Sequence, residues 1–260
     1  MSNSKVVNAN DLMEHIQVNS HLSPSLVIDW LHAGVEDTHS AGRASLFYGL
    51  VFTVVGILIH TLFADNYWLL GGLTTGFLLL GPFLAVGLYD LSRRIELGQK
   101  PSLIPSMTAW WPNLFHMALF ACILVITLLA WTQLSFVIFA HFFNGQLPTF
   151  MDIIINVLTF KQLEFTLIYF LVGGLFAAFV FTISVIAIPL MLDKQVNALT
   201  AVSASVRACK QNPTAMICWA VCLVVLVGVG FATSFLGLIV TMPVAGHASW
   251  HVYKSVIQPS

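Results

Sequence analysis

Residues 114–142 read LFHMALFACILVITLLAWTQLSFVIFAHF and contain no Asp, Glu, Lys or Arg. A helix of roughly 20 apolar residues crosses a hydrocarbon core about 30 Å thick, so this stretch is long enough to span a bilayer. Three further blocks have a similar length and composition, namely 44–63, 67–91 and 163–192. A chain built from such blocks is predicted to be an all-α membrane protein.

The composition of the whole chain supports this prediction. The 260 residues are 58% hydrophobic and only 8% charged, whereas a soluble domain carries about 25% charged residues. The ten Lys and Arg residues form no basic run and leave a net charge of -1. Binding to a nucleic-acid backbone is therefore not expected, and the lipid bilayer is the first predicted partner.

The last apolar block, residues 213–253, is too long for one span. As a single helix it would measure about 60 Å, twice the thickness of the bilayer core. Its weakest helical stretch runs from Gly228 to Ser234, where two glycines precede small hydroxyl residues. We therefore predict two helices, 213–230 and 234–256, of which the first begins at Pro213 after the N-cap residue Asn212. The total is six transmembrane helices.

The basic residues orient these six spans. Nine of the ten Lys and Arg residues fall on one side of the membrane, and Lys161 alone falls on the other. Because cytoplasmic loops carry the excess of Lys and Arg, both termini are predicted to be cytoplasmic.

Two segments precede the transmembrane domain, which is predicted over residues 40–257. Residues 1–22 are polar and are predicted to form a disordered cytoplasmic tail. An amphipathic cytoplasmic helix is predicted over 23–39, opened by a proline in its first turn. Its polar face is acidic and therefore suits anionic lipid poorly, so we expect it to pack on the ends of the spans or on a partner. Its apolar face comprises Leu26, Val27, Trp30, Leu31 and Val35, and its polar face comprises Asp29, His32, Glu36 and Asp37.

A second amphipathic helix is predicted between the fourth and fifth spans. Apolar side chains recur there at intervals of three and four residues, which is the spacing of one helix face. The predicted buried face comprises Val196, Leu199, Val202 and Val206.

A proline recurs in each even-numbered span. Pro82, Pro189 and Pro243 are each predicted to kink their helix and to free backbone carbonyls. Eleven residues separate Pro82 from Arg93, as they separate Pro243 from Lys254. This recurrence predicts three helical hairpins in the same orientation. Such parallel repeats occur in transporters, but duplication of a stable hairpin would give the same pattern.

Four side chains form a candidate metal site. His247 and His251 lie four residues apart on the sixth span, and Cys218 and Cys222 have the same spacing on the fifth. Two imidazoles and two thiolates at a similar depth would favour zinc or copper. In the structural alternative, the cysteines are small packing residues and the histidines are interfacial side chains.

Trp250 and Tyr253 are predicted to anchor the end of the sixth span at the membrane interface.

Other features of the sequence favour neither a cofactor nor catalysis. No c-type haem attachment motif is present, and neither is a phosphate-binding loop, a nucleophile elbow or an HExxH motif. No catalytic residue, cofactor or enzymatic activity is therefore predicted. The alternative to the absence of a cofactor is a bound metal or haem.

Several motifs resemble a known family. They are the stretch 81–98, GPFLAVGLYDLSRRIELG; the sequence PLMLD at 189–193; Asn212-Pro213; and the stretch 243–253, PVAGHASWHVY, which contains both histidines. The family is an uncharacterised group of proteobacterial integral membrane proteins, a domain of unknown function with some members labelled cytochrome c oxidase subunit I-like. The resemblance covers roughly residues 40–257. It implies a multi-pass protein of the bacterial inner membrane and implies no activity.

The oxidase label is at odds with the sequence. Catalytic oxidase subunits have about twice as many spans and hold their metals and haem with histidines inside the bundle. Here the histidines cluster at the predicted span boundaries. The leading hypothesis is a non-catalytic accessory or assembly subunit of a membrane complex, respiratory complexes included. Its predicted partners are the lipid bilayer and either a larger membrane complex or further copies of the chain. The alternatives are a protein that transports or handles a small solute or lipid, and a redox protein that binds metal or haem.

Overall fold

The computed structural model describes residues 16–63, 77, 81, 84–143 and 163–258. Every regular element in these ranges is helical, which confirms the all-α class. Apart from the short 3-10 helix Trp111–Asn113, the helices are α1 (Leu26–Ala41), α2 (Arg43–Leu62), α3 (Val86–Glu96), α4 (Leu103–Met107), α5 (Leu114–Phe142), α6 (Leu163–Ser184), α7 (Ala187–Lys194), α8 (Ala198–Gln211), α9 (Pro213–Ala232) and α10 (Leu238–Val256).

Four helical stretches of the described residues are long and apolar enough to cross a membrane: Arg43–Leu62, Leu103–Phe142, Leu163–Lys194 and Pro213–Ala232. Most of the predicted second span, 67–91, lies outside the described residues. The predicted sixth span forms α10, which is absent from this group because histidines, serines and a lysine interrupt its apolar sequence. A multi-span helical protein is thus supported, and the count of six, the parallel repeat and the orientation stay predictions.

The chain divides into two compact units. The first comprises Met1–Thr53, Pro82–Phe120 and Thr182–Ser260, and the second comprises Val54–Gly81 and Ala121–Phe181. In the second unit, α5 and α6 pack through an aromatic core of Phe139, Phe165 and their neighbours.

The chain reverses within residues 213–253 as predicted, but the turn begins further along the chain than expected. Helix α9 begins at Pro213 as predicted and continues to Ala232, through both glycines that were expected to form the turn. The chain turns instead at Ser234 and Phe235, which have φ values of 53° and 69°. The Thr233 hydroxyl accepts a hydrogen bond from the backbone N–H of Gly237 at 2.7 Å, so a local side-chain contact stabilises the turn.

Helix α10 forms the core of the first unit, with α1, α3, α7 and α9 packed against it. A Cβ atom at Gly34 of α1 would lie 2.8 Å from the Cβ of Ala248, which shows how closely these two helices approach. Trp250 and Tyr253 are 0% and 1% exposed. The prediction that they anchor the chain at the membrane interface was therefore wrong, because packing by the surrounding helices covers them.

Two of the three predicted proline kinks lie in the described residues. Helix α6 ends at Ser184 and α7 starts at Ala187, so the chain breaks just before Pro189. Pro243, in contrast, lies inside the continuous helix α10. The Ile239 carbonyl, which the missing proline N–H leaves without its helical donor, lies directly against Gly49 of α2. Pro82 lies outside the described residues.

A serine bridges the break before Pro189. In a regular helix the backbone N–H of Ile186 would donate to the carbonyl of Thr182. Here Ser205 of α8 accepts from the Ile186 N–H at 3.2 Å and donates to the Thr182 carbonyl at 2.7 Å. The hydroxyl thus replaces the broken helical bond.

The N-terminal tail is ordered over residues 16–22, where disorder was predicted. Val18 pairs with Ile257 in an isolated antiparallel bridge, and the Asn19 side chain donates to the carbonyl of Ser255 at 2.8 Å. The Asn212 side chain accepts from the N–H of Leu22 and makes no capping bond to α9. Residues 1–15 of the predicted tail lie outside the described residues.

Both predicted amphipathic helices form, and each buries a face that differs in part from the expected one. In α1, Trp30 is buried and Asp29, His32 and Glu36 are exposed as predicted, but Asp37 is buried and Val35 is exposed. The other buried residues of α1 are Gly34 and Ala41. In α8 the buried face consists of small residues such as Ala201 and Ala204. The small side chains permit close helix packing, which outweighs the hydrophobicity on which the predictions relied.

Candidate functional site

A buried polar network lies in the first unit, where α1, α2 and α3 meet α10. Helix α10 supplies His247 and, one turn later, His251. The other three helices each supply one residue: Asp37 from α1, Ser45 from α2 and Ser92 from α3. The side chain of His251 is 30% exposed, whereas His247 and Ser45 are 0% exposed.

Hydrogen bonds connect the five side chains into one chain. Ser45 Oγ lies 2.6 Å from Nε2 of His247, and Ser92 Oγ lies 2.7 Å from its Nδ1. Ser92 also donates to Oδ2 of Asp37 at 2.6 Å. The same carboxylate oxygen lies 2.9 Å from Nε2 of His251. The network therefore runs from the partly exposed His251 to the buried Ser45.

The chemistry of these groups fixes the proton positions. An ionised carboxylate only accepts hydrogen bonds, so the single hydroxyl proton of Ser92 points to Asp37. Ser92 must then accept from His247, which places a proton on Nδ1. Because burial disfavours a charged imidazole, Nε2 is unprotonated and accepts from the Ser45 hydroxyl. Both ring nitrogens of His247 are thus occupied.

Asp37 is the charged centre of the network. Burial raises the pKa of its carboxyl group, but the hydrogen bonds from His251 and Ser92 favour the ionised form, and its pKa lies below the ordinary value of 3.8. The carboxylate is therefore ionised at neutral pH and holds α1 against α3 and α10 through charge-assisted bonds.

Further polar contacts lie within α3 and between α3 and α10. Oδ1 and Oδ2 of the fully buried Asp90 lie 2.6 Å from the guanidinium groups of Arg93 and Arg94 respectively. Glu96 of α3 accepts from the indole N–H of Trp250 at 3.1 Å and pairs with Lys254 at 2.9 Å.

Two more contacts join α10 to its other neighbours. The Tyr253 hydroxyl donates to Asp193 of α7 at 2.7 Å. The Trp30 indole of α1 donates to Ser255 at 2.9 Å. Aromatic side chains on these helices thus use their polar atoms to join neighbouring elements.

The structure brings together only half of the predicted metal site. His247 and His251 share Asp37, the first through Ser92 and the second directly. Cys218 is exposed and Cys222 half-buried on α9. Within the described residues, which include all four candidates, no three His, Cys, Asp or Glu side chains are grouped so as to hold a metal ion.

Sequence reasoning identified the histidine pair and missed its partners. Asp37 was assigned to the exposed face of its helix, and Ser45 and Ser92 were not singled out. Two isolated serines in apolar surroundings carry no distinctive spacing. The only available signal was the acidic residue in an amphipathic helix that had been predicted to pack on the spans.

Residues 69–193 match a family described as "Predicted integral membrane protein (DUF2189)". The resemblance to an uncharacterised membrane protein family is thereby confirmed over this range, which includes Ser92 of the network. No curated protein and no solved structure shows significant similarity to the chain.

Proposed function

We propose that this integral membrane protein, whose residues 69–193 match the DUF2189 family, is a non-catalytic accessory or assembly subunit of a larger membrane complex. Respiratory complexes of the bacterial inner membrane are one candidate. The protein would contribute a stable helical surface to the complex, and the chemistry would belong to other subunits.

The observation that supports this proposal is the saturation of the buried network. Both ring nitrogens of His247 and both hydrogen-bonding roles of the Ser92 hydroxyl are occupied by neighbouring side chains. A catalytic base or metal ligand needs a lone pair directed at its substrate or ion. His247 and Ser92 instead connect side chains of four helices by hydrogen bonds, as a structural role requires.

Transport is the second candidate, favoured by the broken helix at Pro189. Transporters often place substrate sites at breaks in membrane helices, where freed backbone groups bind ions or solutes. In this chain Ser205 takes up the freed groups of Thr182 and Ile186, which supports a structural break. Redox chemistry with a metal or haem has less support, because the predicted cysteines and histidines are not grouped in the described residues.

Native mass spectrometry tests the proposal. A tagged copy expressed from its own locus is cross-linked in intact cells, extracted in mild detergent and weighed. We expect a complex whose mass is that of one or more copies of this chain, each 28.5 kDa, plus the mass of a different polypeptide. Species at exact multiples of 28.5 kDa, or an excess that equals a metal or haem, would overturn it.

A further inference from the structure

Helix α1 presents a continuous exposed stripe on the side opposite α10. We call this the outer stripe of α1. The exposed residues repeat every seven positions: an apolar residue at 28 and 35, an acidic residue at 29 and 36, and a histidine at 32 and 39. Its members are Ile28, Asp29, His32, Val35, Glu36 and His39.

The opposite face of α1 is fixed, so the outer stripe cannot turn inward. Trp30 is 2% exposed and hydrogen-bonded to Ser255. One turn on, Gly34 lies close to Ala248, and Asp37 is held by the network. Three consecutive turns of α1 are thus attached to neighbouring helices, which keeps Ile28 and Val35 at the surface.

The stripe combines exposed apolar surface with negative charge. Ile28 is 69% and Val35 54% exposed, although α1 lies outside the candidate spans. The residues from Leu26 to Ala41 include acidic side chains but no Lys or Arg. Exposed apolar side chains seven residues apart lie on one face of a helix, and charged side chains beside them suit packing along a second helix of opposite charge.

We propose that the outer stripe of α1 binds a cationic amphipathic helix of a partner protein. This inference rests on the proposed role as an accessory subunit and names the surface that role would use. Lys or Arg side chains of the partner would pair with Asp29 and Glu36, and its apolar side chains would cover Ile28 and Val35. An anionic lipid surface fits less well, because it repels carboxylates.

Photo-crosslinking identifies what covers the stripe. A photoreactive amino acid is placed at position 35 and, as a control, at position 199, since Leu199 of α8 is an apolar residue that is more exposed than Val35, at 68%. In intact cells, the probe at position 35 is expected to label a helical segment rich in Lys or Arg in another protein, and the control is not. Labelling of lipid alone, or of a second copy of this chain, would overturn the inference.

Charge reversal tests the electrostatic part. The double variant Asp29→Lys/Glu36→Lys replaces two attractive contacts by two repulsive ones and leaves the buried face of α1 unchanged. We expect at least about tenfold less retained partner at equal expression, with recovery when the cross-linked basic residues of the partner are changed to Glu. Undiminished retention by the double variant would contradict the inference while the proposed function stands. If the unaltered protein retains no partner, the proposed function itself fails.

Discussion

Removal of the Ser92 hydroxyl is the most informative perturbation of the buried network. In Ser92→Ala, Asp37 loses one of its two side-chain hydrogen bonds, and Nδ1–H of His247 loses its acceptor. The bond to the carboxylate is worth about 1.5–3 kcal/mol, and a buried donor left without a partner costs about 1–3 kcal/mol. Because neighbouring groups relax in part, we expect the free energy of unfolding to fall by about 3 kcal/mol.

The expected loss in the free energy of unfolding distinguishes a buried network around a charged carboxylate from ordinary hydrogen bonds between helices. Hydrogen bonds between membrane helices contribute about 0.6 kcal/mol each on average, so two ordinary bonds would account for only about 1.2 kcal/mol. The larger value is expected here because Asp37 is ionised and His247 is fully buried.

The assay is reversible unfolding in mixed micelles with increasing SDS, followed by the fluorescence of the seven tryptophans. Thr127→Val serves as the matched control, since the Thr127 hydroxyl donates only to the Ile123 carbonyl one turn earlier in the same helix. The control is expected to change stability by less than about 0.5 kcal/mol. A loss of about 1.2 kcal/mol or less in Ser92→Ala would refute the reasoning.

Three further predictions concern neighbouring features. The pKa of Asp37 lies below 3.8 in the folded state, so its stabilisation is present above the unfolded pKa and is lost progressively as the pH falls through the folded pKa. The stability difference from Asp37→Asn should therefore shrink below about pH 4, and a difference that is constant from pH 3 to 6 would contradict this. Gly49→Ala places a Cβ against the Ile239 carbonyl and should lower the free energy of unfolding in the SDS assay by at least about 2 kcal/mol. The control Gly174→Ala places its Cβ in open space and should not lower it. Equal effects of the two substitutions would contradict the close contact at Gly49. Burial raises the pKa of the Cys209 thiol to about 11 from an ordinary 9.0. In variants that each keep a single cysteine, maleimide should therefore label Cys209 about 100-fold more slowly than the thiol introduced by Lys210→Cys. Equal labelling rates would contradict the burial of Cys209.

The helical framework was largely predictable because it follows from local composition. The apolar blocks predicted the long helices, and the excessive length of residues 213–253 predicted a reversal. The turn itself was misplaced because Gly228 and Gly230 remain helical. A Cβ at Gly230 would overlap Leu238 of the next helix, so this glycine permits close packing of α9 and α10.

The site was predictable only in part because it depends on tertiary contacts. The spacing of His247 and His251 correctly placed both on one face of a helix. Their partner Asp37 lies more than two hundred residues away in the chain, and Ser45 and Ser92 have no local signature. Trp250 and Tyr253 were misassigned for the same reason, since their position near Lys254 suggested an interface that the packing of neighbouring helices does not leave open.

The protonation of His247 tests most directly the claim that the buried network is structural. The protein is labelled with ¹⁵N histidine in detergent micelles at pH 7, and the His247 signals are identified by their loss in His247→Gln. We predict a neutral ring with the proton on Nδ1, an unprotonated Nε2 and no change on addition of zinc. A doubly protonated ring, a proton on Nε2, or a signal that shifts when zinc is added would contradict the account.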